Sequence, residues 1–277
     1  MSEGYEAYTD FAQVYDLFMD NVPYEEWAEG IAQILREHGI TDGTVLDLGC
    51  GTGKLTRLMA QKGYDLIGVD NSIEMLEVAR EYEMQEEAAV PSEEEGQENQ
   101  ILYLCQDMRE LELYDTVRAV YSACDSVNYI LEEEELLRVF QRVNQSLDPQ
   151  GIFLFDCNTP YKYEVLLGEN TFAENREESS FIWENYYDVE SRINQYDLTL
   201  YIAAQDGLFQ RFEETHLQKN YETDTIRRLL LRAGMEIEGV YDAYTKEPPR
   251  EDAERVMFVA RNCKKRAEGV LTKEKSA

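Results

Sequence analysis

The sequence predicts an α/β fold on one mostly parallel sheet of seven strands flanked by helices, with an antiparallel β insert after the fifth strand. Three features carry this prediction. From residue 44, short apolar runs alternate with amphipathic helical stretches, the pattern of βαβ units. The first run closes on a glycine-rich turn that leads into a helix. After the fifth run come long stretches of β-branched and aromatic residues, FIWENYYDVE, INQYDLTLYIAA and LFQRFEETHL, which read as hairpin strands.

Residues 5–40 read as helical: Phe11, Val14, Tyr15 and Phe18 recur at helical spacing, and Pro23 opens a second helix from Tyr24 to His38. The strand runs are Thr44–Leu48, Leu66–Val69, Ile101–Cys105, Ala119–Ser122 and Ile152–Phe155. Before the fifth, Leu136, Phe140, Val143 and Leu147 make one helical stripe behind an acidic first turn, and Asp148-Pro149-Gln150-Gly151 stops the helix. Gln85–Gln100 is acidic and poor in apolar residues, which predicts a solvated loop. Gln205-Asp206-Gly207 supplies a hairpin turn inside the insert. A helix from Thr223 to Ala233, closed by Gly234, precedes two last strands, Glu236–Tyr244 and Arg255–Ala260. The expected division is a helical cap at 1–40, a core at 41–160 and 222–263, the insert at 161–221, and a polar tail at 264–277.

A chain of 277 residues with 43% apolar content suits one large domain better than two. No apolar run reaches membrane-spanning length, and the N-terminus MSEGYEAYTD lacks the charged-then-apolar pattern of a secretion signal. Cys50, Cys105, Cys124, Cys157 and Cys263 are scattered without a CxxC pair, which fits a reducing compartment and predicts a cytoplasmic protein. With only His38 and His216 and no Cys/His cluster, no metal is expected. The formal net charge of −31 makes a nucleic-acid partner unlikely and favours a neutral or cationic small molecule.

The strongest local signal is Val45-Leu46-Asp47-Leu48-Gly49-Cys50-Gly51-Thr52-Gly53-Lys54. Glycines let a backbone turn sharply and approach a ligand, and the helix N-terminus beyond offers free N–H groups. Spacing separates the ligand classes that use such a turn. A phosphate-binding P-loop needs glycine where Leu48 stands and Ser/Thr where Leu55 stands, so that reading fails. The dinucleotide pattern needs a small residue at Lys54, so that reading is poor. What remains is D-x-G-x-G-x-G. Some 20 residues on, Ile67-Gly68-Val69-Asp70-Asn71-Ser72 ends a strand in a carboxylate placed to accept from vicinal ribose hydroxyls. Ser72 is the better cap for the next helix and leaves Asp70 free for a ligand.

VLDLGCGTGKL resembles the first motif of class I S-adenosylmethionine-dependent methyltransferases, which are Rossmann-like. The resemblance implies S-adenosyl-L-methionine as cofactor, its methionine end at Asp47, Gly49, Cys50, Gly51 and Gly53, its ribose at Asp70 and Asn71. It puts adenine at Asp107 and Met108, after Tyr103-Leu104-Cys105. In Val120-Tyr121-Ser122-Ala123-Cys124-Asp125-Ser126-Val127-Asn128-Tyr129, it offers Asp125 for the cofactor and Asn128 and Tyr129 for the acceptor, whereas Ser126 and Val127 are expected to start a helix and pack. DSxNY, with the N-terminal YTDFAQVYDLFMD, resembles a bacterial branch of small free-standing methyltransferases. There an N-terminal tyrosine helps close over the cofactor, a role for Tyr8 and Tyr15, with Tyr8 placed beside Asn128 and Tyr129 on the acceptor side; core packing is the alternative for Tyr15.

Methyl transfer from a sulfonium is an in-line displacement of an already activated group, so positioning dominates and no nucleophile triad is required. A hydroxyl or ammonium acceptor would use a general base, for which His216 and Asp125 are the candidates. The insert is expected to shape the acceptor pocket, with Tyr161, Tyr163 and Trp183 as candidate walls, or to form a homodimer surface. A non-catalytic S-adenosylmethionine-binding regulator and a nicotinamide-dependent oxidoreductase are the alternative readings.

Overall fold

The computed structural model describes residues 8, 11–89, 101–204 and 207–264, with the side chains of 87–89 left aside. The N-terminal segment makes a 3-10 turn at Phe11–Gln13, a short helix α1 (Tyr15–Phe18) and the longer α2 (Tyr24–Glu37). The first helix is therefore one turn only. Pro23 disfavours helical backbone at Val22, and Val14 and Phe18 turn toward the insert to pack on Leu198 and Leu200.

The central sheet holds β1 (Thr44–Leu48), β2 (Asp65–Asp70), β3 (Leu102–Cys105), β4 (Val117–Ser122), β5 (Leu147–Asn158), β10 (Met235–Asp242) and β11 (Arg255–Asn262), in the order β10-β11-β5-β4-β1-β2-β3. β1 to β5 are parallel, and β11 runs antiparallel to β5 and β10. Helices α3 (Lys54–Gln61), α4 (Ile73–Ala89), α5 (Glu133–Ser146) and α6 (Thr223–Arg232) provide the flanks. Successive residues of β5 serve opposite faces, as strand geometry requires. Phe153 and Phe155 pack with Phe140 of α5 and Leu229 of α6, whereas Ile152 and Leu154 pack with Ile31 and Leu35 of α2 and Leu55 of α3. Each fully buried side chain of this size is worth about 1.5–3 kcal/mol.

Three local expectations change. α4 continues to Ala89, into the stretch read as loop, because EMQEEAA consists of good helix formers; residues 90–100 lie outside the described residues. Leu147 is the first residue of β5 rather than the last of the α5 stripe. The Asp-Pro-Gln-Gly turn that follows is an excursion in the strand, where pairing jumps from Val117↔Leu147 to Ala119↔Ile152 and Gln150 takes φ +69°.

The insert follows β5. A π-helical turn (Lys162–Leu167) leads into a second, fully antiparallel sheet of β6 (Thr171–Asn175), β7 (Ser179–Asp188), β8 (Ile193–Ala203) and β9 (Phe209–Lys219), in that order. Ala203 pairs with Phe209 across the expected hairpin, though Gln205 and Asp206 themselves lie outside the described residues. Among the described residues no helix is long and apolar enough to cross a membrane.

Candidate active site

The sheet order reverses between β1 and β4, and the carboxyl ends of strands at such a point form the natural crevice of an open α/β sheet. A cavity of ≈ 430 Å³ lies there. Tyr15, Asp47, Gly49, Cys50, Gly51, Asp70, Asn71, Asp107 and Met108 line it, as do Tyr8 and Tyr129. Gly53, Asp125, Asn128 and His216 do not line this cavity.

The glycine turn is built as its sequence suggests. Gly49 and Cys50 donate their N–H groups to the Val69 carbonyl of β2 (2.7 and 3.0 Å), which stitches the turn to the neighbouring strand. All three glycines have positive φ, but only one keeps open space beside it. A Cβ on Gly49 would lie 2.6 Å from Ser126 Oγ, and one on Gly53 would lie 2.5 Å from the Tyr103 hydroxyl. A Cβ on Gly51 would meet nothing within 4 Å. Gly49 and Gly53 thus permit close packing, whereas Gly51 fronts the cavity. This cradle, with room beside Gly51, is the feature that fits a bound cofactor.

Asp70 is held rather than free. Its Oδ2 accepts from Gly51 N (2.8 Å) and its Oδ1 from Ser72 N (3.0 Å), so the end of β2 is clamped to the glycine turn. Ser72 caps α4 as expected, accepting from Met75 N at 3.1 Å. Burial raises the Asp70 carboxyl above the usual range despite these bonds. Burial also pushes Asp47 up to about 7, although Thr56 (2.6 Å) and Tyr121 (2.9 Å) donate hydroxyl hydrogen bonds to it. Asp107 accepts from the backbone and guanidinium of Arg109, whose hydrogen bonds outweigh burial and keep the carboxyl low.

Several further residues line the cavity that the sequence had assigned no contact with the cofactor. Thr52 donates to Asp16 at 2.9 Å and ties α1 to the turn. Lys54 stands 5.1 Å from the Tyr24 ring, and Arg109, Tyr24 and Cys124 also line the cavity. Ser126, expected only to pack, lines the cavity while donating to the Ala123 carbonyl at 2.9 Å. Burial raises the Cys124 thiol to about 11, so a protonated thiol faces the cavity rather than a nucleophilic thiolate.

Asp125 sits at φ +56° after β4, paired with Arg255 and accepting from Gln218 Nε2 at 2.5 Å. Asn128 is fully buried, donates to the Lys219 carbonyl (2.7 Å) and accepts from Asn158 N (3.1 Å); it ties the insert to β5. Tyr163 is also buried and donates to Gln218 at 3.0 Å. His216 lies behind the cavity wall, between Tyr129 (3.1 Å from Nδ1) and Glu214 (3.2 Å from Nε2). Trp183 and Tyr196 meet near it at a tilt of 51°, with ring centroids 4.9 Å apart.

Residues 45–151 match the family described as methyltransferase domain. A protein of Geobacillus sp. (strain WCH70), named a putative methyltransferase, is 34% identical over 256 residues, covering 92% of this chain and 99% of its own. The chain belongs to the class I S-adenosylmethionine-dependent methyltransferases. This methyltransferase superimposes on an S-adenosylmethionine-dependent methyltransferase from Clostridium acetobutylicum ATCC 824 with a TM-score of 0.78 and 27% identity, over 93% of this chain and 99% of that one. The cypemycin N-terminal methyltransferase of Streptomyces sp. is 26% identical over 224 residues, 79% of this chain and 83% of its own. The methyltransferase's cofactor is S-adenosylmethionine, and the nicotinamide and regulator readings find no support.

Proposed function

We propose that this methyltransferase carries a methyl group to a small, neutral or cationic acceptor held between the cofactor cavity and the inner face of the insert. The observation that carries the proposal is the cavity itself. Its lining joins the turn at Gly49, Cys50, Gly51 and Thr52 with Asp70 and Asp107, and with aromatic side chains from the N-terminal segment and Tyr129. S-adenosylmethionine, when bound, supplies a methyl group already activated by its sulfonium.

Asp47, Gly49, Cys50 and Gly51 would hold the methionine end, Asp70 and Asn71 the ribose, Asp107 and Met108 the adenine. Tyr8, Tyr15 and Tyr24 would exclude water and orient the reacting atoms, and such positioning can remove several kcal/mol of barrier, with upper values of about 7–11. We assign the helical segment at 1–40 as the cap, 41–160 and 222–263 as the cofactor core, and 161–221 as the acceptor-shaping insert. The net charge of −31 disfavours a polyanion. The relative that methylates a peptide N-terminus by name supports an amine among the candidate acceptors. Five free cysteines suit a reducing, cytoplasmic setting.

S-adenosylhomocysteine is expected to raise the melting temperature, and Asp70→Ala to remove most of that rise. No rise at millimolar ligand in the intact protein would overturn the site assignment. Metabolite extracts screened for S-adenosylhomocysteine formation should then identify the acceptor; silence across extracts, with ligand stabilisation intact, would count against a small-molecule acceptor.

A further inference from the structure

Behind the acceptor side of the cavity, a chain of polar groups runs from β9 to the cavity wall, and its hydrogen-bond polarity follows from chemistry. Glu214 accepts from the backbone N–H groups of Tyr8 (2.8 Å) and Phe11 (3.0 Å) and lies 3.2 Å from His216 Nε2. Burial opposes its charge, but the bonds from His216, Phe11 and Tyr8 outweigh burial and keep the carboxyl below the usual range. An ionised carboxylate only accepts, so His216 Nε2 carries the proton. In the neutral ring His216 Nδ1 then has a lone pair and accepts from the Tyr129 hydroxyl at 3.1 Å. With its proton committed, Tyr129 Oη accepts in turn from Tyr8 (2.6 Å) and Tyr196 (2.7 Å). The imidazole is 1% exposed and stacks on the Tyr196 ring at 4.5 Å and 9°. Of this chain, Tyr8 and Tyr129 alone line the cavity.

We propose that Tyr129, His216 and Glu214 form a proton relay, and that the acceptor is a nucleophile that sheds a proton on methylation, a hydroxyl or an amine. The proposal rests on the methyltransferase reading of the cavity. The entering group takes the place of the Tyr8 hydroxyl at Tyr129 Oη. Its lone pair forms the new bond to the methyl carbon as the S–C bond breaks with its electron pair left on sulfur. The proton shed by the acceptor passes to Tyr129 Oη while the proton of Tyr129 moves to His216 Nδ1. The resulting imidazolium is stabilised by Glu214 and by the Tyr196 ring face. Tyr129 is then the catalytic residue; His216 and Glu214 act through it as positioning residues. The sequence had offered His216 as a base in its own right, but its place behind Tyr129 makes the action indirect.

The first arm needs no acceptor. In ¹⁵N NMR of the full chain with S-adenosylhomocysteine bound, His38→Gln leaves His216 as the sole histidine. At neutral pH the expected state is a neutral ring protonated at Nε2, with an Nδ1 resonance that moves in Tyr129→Phe. A proton on Nδ1, or a ring charged at that pH, would overturn the relay. The second arm uses the extract fraction that supports methyl transfer. Tyr129→Phe and His216→Gln should each lower turnover by about a hundredfold, and the double variant no further, since the residues work as a unit. Both should keep the stabilisation by S-adenosylhomocysteine, which also reports that they fold. Unchanged turnover in either folded variant would sink the relay and leave the methyltransferase reading standing, whereas failure of the wild type to bind S-adenosylhomocysteine would sink that reading instead.

Discussion

After β1 the backbone turns through Gly49, Gly51 and Gly53, at φ +84°, +54° and +69°; after β4 it turns through Cys124 and Asp125, at φ +60° and +56°. Both turns border the same cavity, and both need left-handed backbone. In the first, glycine adopts that conformation without steric penalty. In the second, two consecutive residues with Cβ atoms are held where each costs on the order of 1–3 kcal/mol. The β4 turn is held there by partners from far along the chain. The Tyr244 hydroxyl accepts from Cys124 N at 3.1 Å, Asp156 accepts from Asp125 N at 3.2 Å, and Arg255 pairs with both Asp125 and Asp156. One turn is made by its own residues and the other by its surroundings.

The largest effect should come from removing those surroundings. Arg255 is nearly enclosed, its guanidinium lies 2.7 Å from Asp156, and it faces the Trp27 ring at 5.7 Å. Arg255→Met leaves two close carboxylates without their cation and should cost about 3–5 kcal/mol of unfolding free energy in urea. A loss below 1 kcal/mol would mean that the ion pair does not support the β4 turn. The same variant should weaken S-adenosylhomocysteine binding, since Cys124 and Ser126 beside the turn line the cavity.

Next in size is Gly49→Ala. It adds left-handed strain and drives a Cβ to 2.6 Å from Ser126 Oγ. These two costs together come to about 3 kcal/mol. The ligand-induced rise in melting temperature should disappear with it. Retention of a full rise would show that the turn relaxes, and that its glycine is dispensable.

A third test concerns the carboxylate that precedes the glycine turn. Burial pushes Asp47 up to about 7, well above its value of about 4 in an unfolded chain. The native state therefore binds this proton more tightly than the unfolded state, and the contribution of Asp47 to stability falls as pH rises from about 4 to about 7. Between pH 5 and pH 8 the wild type should lose on the order of 2 kcal/mol relative to Asp47→Asn. Parallel pH profiles for the two proteins would refute this assignment.

The contrast between the turns also explains what was legible in the sequence. Strand runs and helix stripes are local patterns, so the seven-stranded sheet and the place of the insert could be read directly, as could the glycine turn with Asp70. What escaped depends on residues remote in sequence. Nothing near Asp70 announces that Gly51 N reaches its carboxylate. Asn128 and Asp125 looked ligand-facing because they follow a strand at the crevice. Their partners, Lys219, Gln218 and Arg255, come from the insert and from β11. His216 was visible as a lone histidine, but its setting between Glu214 and Tyr129 joins β9 to the end of β4 and has no local signature.

The smallest expected effect is the most discriminating. Cys124→Gly relieves the left-handed penalty at φ +60°, a gain of about 1–2 kcal/mol. Against this stand the extra freedom of glycine in the unfolded chain, about 0.5–1 kcal/mol, and the loss of a weak contact between Cys124 Sγ and the Tyr15 hydroxyl at 3.9 Å. The balance should lie within about 1 kcal/mol of zero, so urea midpoints should nearly coincide. If the turn is held by Tyr244, Asp156 and Arg255, the side chain at 124 is replaceable because those three grip the backbone N–H groups and the Asp125 carboxylate rather than the thiol. A loss above about 2 kcal/mol would mean instead that Cys124 packs the turn from within, and the division between a self-made turn and a borrowed one would fall.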